Sequence, residues 1–292
     1  MNDEVISGGK KRYVIYSALT GGYDEIMQPI VFDERFDFVL FMDTVNETRI
    51  GVWQTRPIKY RNSDSTRVCR YIKTHPESLL PEYAVSVWVD SNVQILDNFL
   101  YNSVIDLDNH GISISSMWHP SRQCIYDEAF AVVNMMVEHE GIAVKWCHEL
   151  RKAKYPRYNG LCETNVVYRK HSSRLVSELD ELWWFIIERH SRRDQLSYNY
   201  VLWKMKLPCH YLFGEYLNAR NTSHLRVVTH LDAQHNHCLL GKNEAWLMRH
   251  CWKKPSETSR VSNLYYKFYS WPFPHIWFYL IGQYYRLIDR VK

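Results

Sequence analysis

Tyr13-Val14-Ile15-Tyr16-Ser17-Ala18-Leu19-Thr20-Gly21-Gly22-Tyr23-Asp24 opens with an apolar run, Tyr13–Ala18, that is followed by paired glycines. A run this short fits a buried β-strand, and two glycines just past a strand let backbone approach a ligand closely. In open α/β sheets, ligands bind outside those strand ends. An ordinary Gly-Gly turn reads the same way, and the stretch is neither a phosphate loop of the Walker type nor G-x-G-x-x-G. Outward from it, Phe36–Met42, Val85–Val89, Ile112–Met117 and Asn165–Tyr168 are further short apolar runs. Between and after them lie helical patterns at 127–138, 142–152, 173–190 and 193–206. Leu175, Leu179, Leu182, Trp183 and Ile186 form one stripe, and Ser191 with Asp194 resembles a capping box. Strands interleaved with helices predict an α/β layered fold. The simplest parse is one catalytic domain over 1–248 and a C-terminal appendage over 249–292.

Polar residues gather where these strands end. Asp43 closes the second run and can meet a ribose hydroxyl or a base edge; a turn role is the alternative. Ser86-Val87-Trp88-Val89 runs straight into Asp90-Ser91-Asn92. Oxygen ligands two residues apart suit Mn²⁺ or Mg²⁺, which keep open positions for phosphate oxygens. Arg70 and Lys73 stand one helical turn apart and can clamp a diphosphate, or face solvent. His119, Arg122, Tyr126 and Glu128 fall at a loop-to-helix entry that can grip an acceptor sugar or cap the helix. Glu163, in the Gly160–Asn165 stretch, and Arg193-Asp194-Gln195 mark two more element boundaries. His230, His235 and His237 form a loose cluster from which an imidazole can complete a metal site.

Composition narrows the partners. The net charge is +4, yet residues 249–292 carry eight Lys/Arg against two Asp/Glu, with 12 of the 43 aromatics. A basic, aromatic tail on a near-neutral body predicts an anionic membrane surface and no nucleic acid. Trp271–Tyr285 is the expected interfacial helix, too short to span; an aromatic helix docked on protein is the alternative. Seven cysteines without C-x-x-C predict free thiols and no zinc site. The polar first residues predict no signal segment, hence a cytoplasmic protein, peripheral on the inner face of the cytoplasmic membrane.

The order of the motifs resembles a family. Tyr16–Asp24, Arg70-x-x-Lys73-x-His75-Pro76, Leu80-Pro81-x-Tyr83, Ser86-x-Trp88-x-Asp90, His119-Pro120-x-Arg122-x-Cys124-x-Tyr126-x-Glu128-Ala129, Gly160-Leu161-x-Glu163 and Arg193-Asp194-Gln195-x-Ser197 are similar to the glycosyltransferases once grouped as domain of unknown function 616. That family includes plant Golgi and bacterial surface-polysaccharide proteins. The resemblance implies a GT-A-like, Rossmann-type nucleotide-binding sandwich. It implies transfer of a sugar from a nucleotide-sugar donor, UDP-sugar favoured, to a saccharide or lipid-linked saccharide acceptor in lipopolysaccharide or capsule synthesis. By that likeness Ala18, Thr20, Gly22, Tyr23, Asp43, Arg70, Lys73 and Asp90 bind the donor. It also places a divalent metal (Mn²⁺ or Mg²⁺) on Asp90 and Asn92, a site that the His235 imidazole of the late cluster can complete. His119, Arg122, Tyr126 and Glu128 meet the acceptor, and Asp194, Glu163 and Gln195 act in catalysis. The Asp194-Gln195 pair leans toward a retaining reaction; in an inverting one, Glu163 or Asp194 deprotonates the acceptor. Asn92 replaces the second acid of many relatives, which weakens metal binding and leaves open a catalytically silent carbohydrate-binding scaffold.

Overall fold

The computed structural model describes residues 11–22, 24–135, 137–171 and 173–230. Tyr23, His235, His237 and the whole 249–292 segment, with its expected boundary and membrane role, lie outside them. The elements in order are β1 (Lys11–Leu19), β2 (Phe36–Met42), β3 (Arg49–Ile50), β4 (Trp53–Pro57), α1 (Ser65–Thr74), α2 (Pro76–Leu79), β5 (Tyr83–Val89), β6 (Val93–Ile95), α3 (Phe99–Asn109), β7 (Ile114–Trp118), α4 (Ile125–Asn134), α5 (Glu140–Lys152), β8 (Cys162–Lys170), α6 (Arg174–Arg189), α7 (Gln195–Lys204) and β9 (Leu225–Val227). Two compact units result. One takes in residues 11–121 and 161–230, and the other residues 122–160 with α4 and α5.

The first unit is built on a seven-stranded sheet of order β3-β4-β2-β1-β5-β8-β7. β2, β1 and β5 run parallel, while β8 enters antiparallel between β5 and β7. The chain leaves β1 toward β2 on one side and returns to β5 on the other, so a switch point lies between β1 and β5. The α/β layered expectation is met. The strands are near-continuously buried, as central strands covered on both faces must be. One face carries Tyr13, Ile15, Leu40, Val85 and Val87, packed with Leu100, Tyr101 and Val104 of α3. Each such side chain contributes about 1.5–3 kcal/mol on burial.

On the other face the Tyr16 hydroxyl donates to the Lys73 carbonyl at 2.8 Å, which locks α1 to β1. α1 begins with the Asp64 carboxylate accepting the Thr66 amide at 3.0 Å, an N-cap the apolar pattern did not reveal. In α6 the buried stripe runs through Val176, Leu179, Asp180, Trp183, Ile186 and Ile187, while Leu175 is 40% exposed. The shift has a polar cause. Fully buried Arg169 in β8 requires a carboxylate, and Asp180 supplies it at 2.9 Å. Burial drives the Asp180 pKa up to about 7 although Arg169 opposes the rise. Asp180→Ala would leave that guanidinium buried without its partner. A loss of about 3–5 kcal/mol in urea-denaturation stability is expected; a change under 1 kcal/mol would contradict the pairing.

Candidate active site

Parallel strands deliver their C-terminal ends to one edge of the sheet. Thr20–Gly22 follow β1, Asp43 follows β2, Asp90 follows β5 and His119 follows β7. Because β8 is antiparallel, its beginning reaches the same edge and brings Glu163, Thr164 and Asn165 there. Gly21 and Gly22 take φ of +75° and +70°, and a Cβ on Gly22 would meet nothing within 4 Å. Glycine serves backbone conformation at that turn. The Gly21 amide donates to the exposed Asp43 carboxylate at 2.7 Å, and buried Thr20 donates its hydroxyl to the Ser65 carbonyl at 2.9 Å. Ala18 is buried within β1.

Asp194 is the electrostatic centre. It sits at the N-cap position of α7, but its side chain makes no capping bond. Instead one carboxylate oxygen meets Arg70 Nε at 2.9 Å, and the other accepts from Lys73 Nζ at 2.6 Å and the Thr164 hydroxyl at 2.8 Å. Ser191 Oγ accepts the Arg193 amide at 3.0 Å, ahead of the helix. Arg70 and Lys73 do stand one turn apart on α1, and what they grip here is a protein carboxylate. Burial pushes the Asp194 pKa up, but the charges of Arg70 and Lys73 outweigh it and hold the group well below the usual carboxylate range. Lys73, 1% exposed, also lies 3.6 Å from Asp90 Oδ1, which accepts from Trp88 Nε1 at 2.5 Å.

Near Asp90 and Asp194 several buried polar atoms have no hydrogen-bond partner among the described residues. They are Glu163 Oε2, both amide atoms of Asn165, and Arg193 Nε. Such atoms are rare in folded proteins and call for a ligand, water or ion. Glu163 holds Arg220 Nε with its other oxygen at 3.0 Å. Burial raises the Glu163 pKa; Arg220 and His119 pull it down, and the negative charge of Asp90 pushes it up again. Asn165 accepts the Asp90 amide on its backbone carbonyl at 2.8 Å. Gln195 opens α7 half-buried.

The chain returns to this edge after α7. β9 pairs with β6, the Asn92 side-chain amide donates to the Val228 carbonyl at 2.8 Å, and His230 meets Asp24 at 2.6 Å. Asn92 thus ties strand to strand. No group of three or more metal-ligating His, Cys, Asp or Glu occurs among the described residues. Of the expected metal set, Asp90 shares one oxygen with Trp88 and Lys73, Asn92 turns to backbone, and His235 is outside the described residues. One carboxylate with a lysine beside it does not fit a resident divalent cation, which takes several oxygen ligands.

Among the expected acceptor residues, His119 is in the first unit, buried, with Nδ1 accepting the Ser121 amide at 3.1 Å. The others belong to the second unit. There Arg122 pairs with buried Glu128, and the Tyr126 hydroxyl donates to the Tyr155 carbonyl at 3.0 Å. Sequence reading missed Asn165, Arg193, Arg220 and Thr164 as individual site residues. Three of them fall inside motifs it singled out, but nothing in a linear pattern reveals an unpaired buried amide. No helix of the described residues is long and apolar enough to cross a membrane.

Comparison with known proteins adds the following. A family model described as "TOD1/MUCI70, glycosyltransferase-like domain" matches residues 3–223. No curated protein matches the chain. Among solved structures, the apo structure of the WbbM bifunctional glycosyltransferase is 10% identical, with a TM-score of 0.39, over 70% of this chain and 39% of its own. The chain thus spans well under half of that protein. The apo form of mouse xyloside xylosyltransferase 1 is 11% identical, with a TM-score of 0.41, over 69% of this chain and 84% of its own.

Proposed function

The chain belongs to the TOD1/MUCI70 glycosyltransferase-like domain family, and from that membership we propose a GT-A-like enzyme that moves a sugar from a nucleotide-sugar donor, UDP-sugar favoured, to a saccharide or lipid-linked saccharide in surface-polysaccharide synthesis. The observation that carries the reading is the set of unpartnered buried polar atoms on Glu163, Asn165 and Arg193, the first two beside Asp90 and the third beside Asp194. In this reading the nucleoside lies along Thr20–Gly22 and Asp43. Arg193, Lys73 and Arg70 offset the charge of the departing diphosphate, the largest electrostatic task in sugar transfer. Asp194 is a positioning residue that holds Arg70 and Lys73 in place. Glu163, with a raised pKa and one unpartnered oxygen, takes the proton of the acceptor hydroxyl.

That assignment of Glu163 favours inversion, whereas the Asp194-Gln195 likeness favours retention. Asp194 itself is a poor proton acceptor, because its two cations keep it ionised. The anomeric configuration of the product, read by NMR, decides between them. A divalent cation enters this reading only as an additive to be tested, since the described donor set does not fit one.

Calorimetric titration with UDP and then GDP, with and without Mn²⁺, tests the donor site. Wild type is expected to bind one nucleotide, and Arg193→Ala, which removes a cation assigned to the diphosphate, to lose at least about tenfold in affinity, or about 1.4 kcal/mol. Binding of neither nucleotide under any condition would favour a carbohydrate-binding scaffold on the same fold, the reading that Asn92 first suggested.

A further inference from the structure

Cys162 and Cys209 are 47 residues apart in the chain, yet their sulfurs lie 2.7 Å from each other. Both are free thiols. Each is held by neighbours that fix the backbone around it. The Cys162 amide donates to Asn199 Oδ1 at 2.8 Å. Next to Cys209, the His210 carbonyl accepts the Ser116 amide at 3.1 Å and the Ser115 hydroxyl at 3.0 Å, and the Leu212 amide donates to Ser116 at 2.8 Å. A disulfide needs a sulfur separation of about 2.05 Å, so a small adjustment closes the bond.

The two thiols differ in the way an exchange reaction requires. Cys209 is half-buried and Cys162 has no exposure. The hydrogen bond from Cys162 lowers the Cys209 pKa; burial opposes it, and Tyr211 and Asn199 add to the lowering. Burial holds Cys162 well above the usual thiol value. Cys209 is therefore the reachable nucleophile, and Cys162 the resolving thiol behind it. Cys69, Cys124 and Cys147 are all buried, and burial raises Cys69 to about 11 and Cys147 to about 12.

We infer that Cys162 and Cys209 form a reversible dithiol–disulfide pair that reacts with low-molecular-weight disulfides. The Cys209 thiolate attacks one sulfur of the oxidant, whose S–S bond breaks; one thiolate leaves and takes a proton. Cys162 then loses its proton and attacks the Cys209 sulfur, expelling the second thiolate. Two cysteine thiols are oxidised and one small disulfide is reduced to two thiols. The bond fastens the 207–213 segment to the start of β8.

The test is to incubate the full chain with oxidised glutathione, alkylate, digest and map the peptides by mass spectrometry. A peptide joining Cys162 to Cys209 is expected, reversed by dithiothreitol, with Cys69, Cys124 and Cys147 alkylated. The bridged chain should melt roughly 5 °C higher, because the cross-link restrains the unfolded state. In Cys162→Ala the reaction should stop with glutathione on Cys209. Wild-type chain in which both thiols stay alkylatable, or in which Cys209 keeps glutathione without bridging, overturns the inference.

Discussion

Asp194→Asn is expected to lose roughly 10²-fold or more in transfer rate and about 3–5 kcal/mol in folding stability together. The substitution keeps the shape of the side chain and removes its charge. Lys73, 1% exposed, and Arg70 then share a buried site without the carboxylate they both contact. Repulsion between them displaces at least one, and with it the cation set proposed to face the diphosphate. The stability loss follows from removing the carboxylate that both cations contact. Its pH dependence has a definite sign. A carboxyl whose folded pKa is depressed stabilises the protein above its unfolded value near 4 and loses that contribution as pH falls toward the folded value. As pH falls below about 4 the urea midpoints of wild type and variant should therefore draw steadily closer. A variant as stable as wild type at pH 7 would show that the cations do not depend on Asp194.

Glu163→Gln should behave differently, losing roughly 10²–10⁴-fold in kcat while the protein stays folded. Glutamine is nearly isosteric and still offers an oxygen to Arg220, so the fold has little to lose. The lost function is proton transfer. Burial raises the wild-type Glu163 pKa, so activity should climb with pH along a limb centred above the ordinary glutamate value, and that limb should vanish in the variant. The same raised pKa means that any stability Glu163 adds is fully present below its unfolded pKa and is lost as pH rises through the folded one. An unchanged pH profile in Glu163→Gln would remove it as the base and return weight to a retaining reaction.

The strand core was readable because burial on both faces leaves unbroken apolar runs. Phe36–Met42 has the bounds expected, and β5 extends Val85–Val89 by only two residues. Periodicity misled where a buried charge interrupts it: Asp180 reads as a polar position in α6, yet Arg169 draws it inward and leaves Leu175 outside. The residue types at the site were legible as motifs, and Asp90, Glu163, Asp194, Arg70 and Lys73 do meet at one edge of the sheet. Their partnerships were not, since Arg70 and Lys73 are 124 and 121 positions from Asp194, and no local pattern distinguishes a cation that waits for phosphate from one already held by a carboxylate. Cys162 and Cys209 escaped for the same reason.

The way the chain comes back after α7 bears on how a workable fragment should be cut. The family match ends at residue 223, an inviting place to truncate. Yet β9 covers β6 just beyond it, Val228 holds Asn92, and His230 reaches Asp24 beside the first glycine turn. Ending the chain at 223 would strip three fastenings from the neighbourhood of Asp90 and uncover the edge of β6, an open strand edge of the kind that invites aggregation. A recombinant fragment intended to keep these contacts near Asp90 must therefore run through His230, seven residues past the homology boundary.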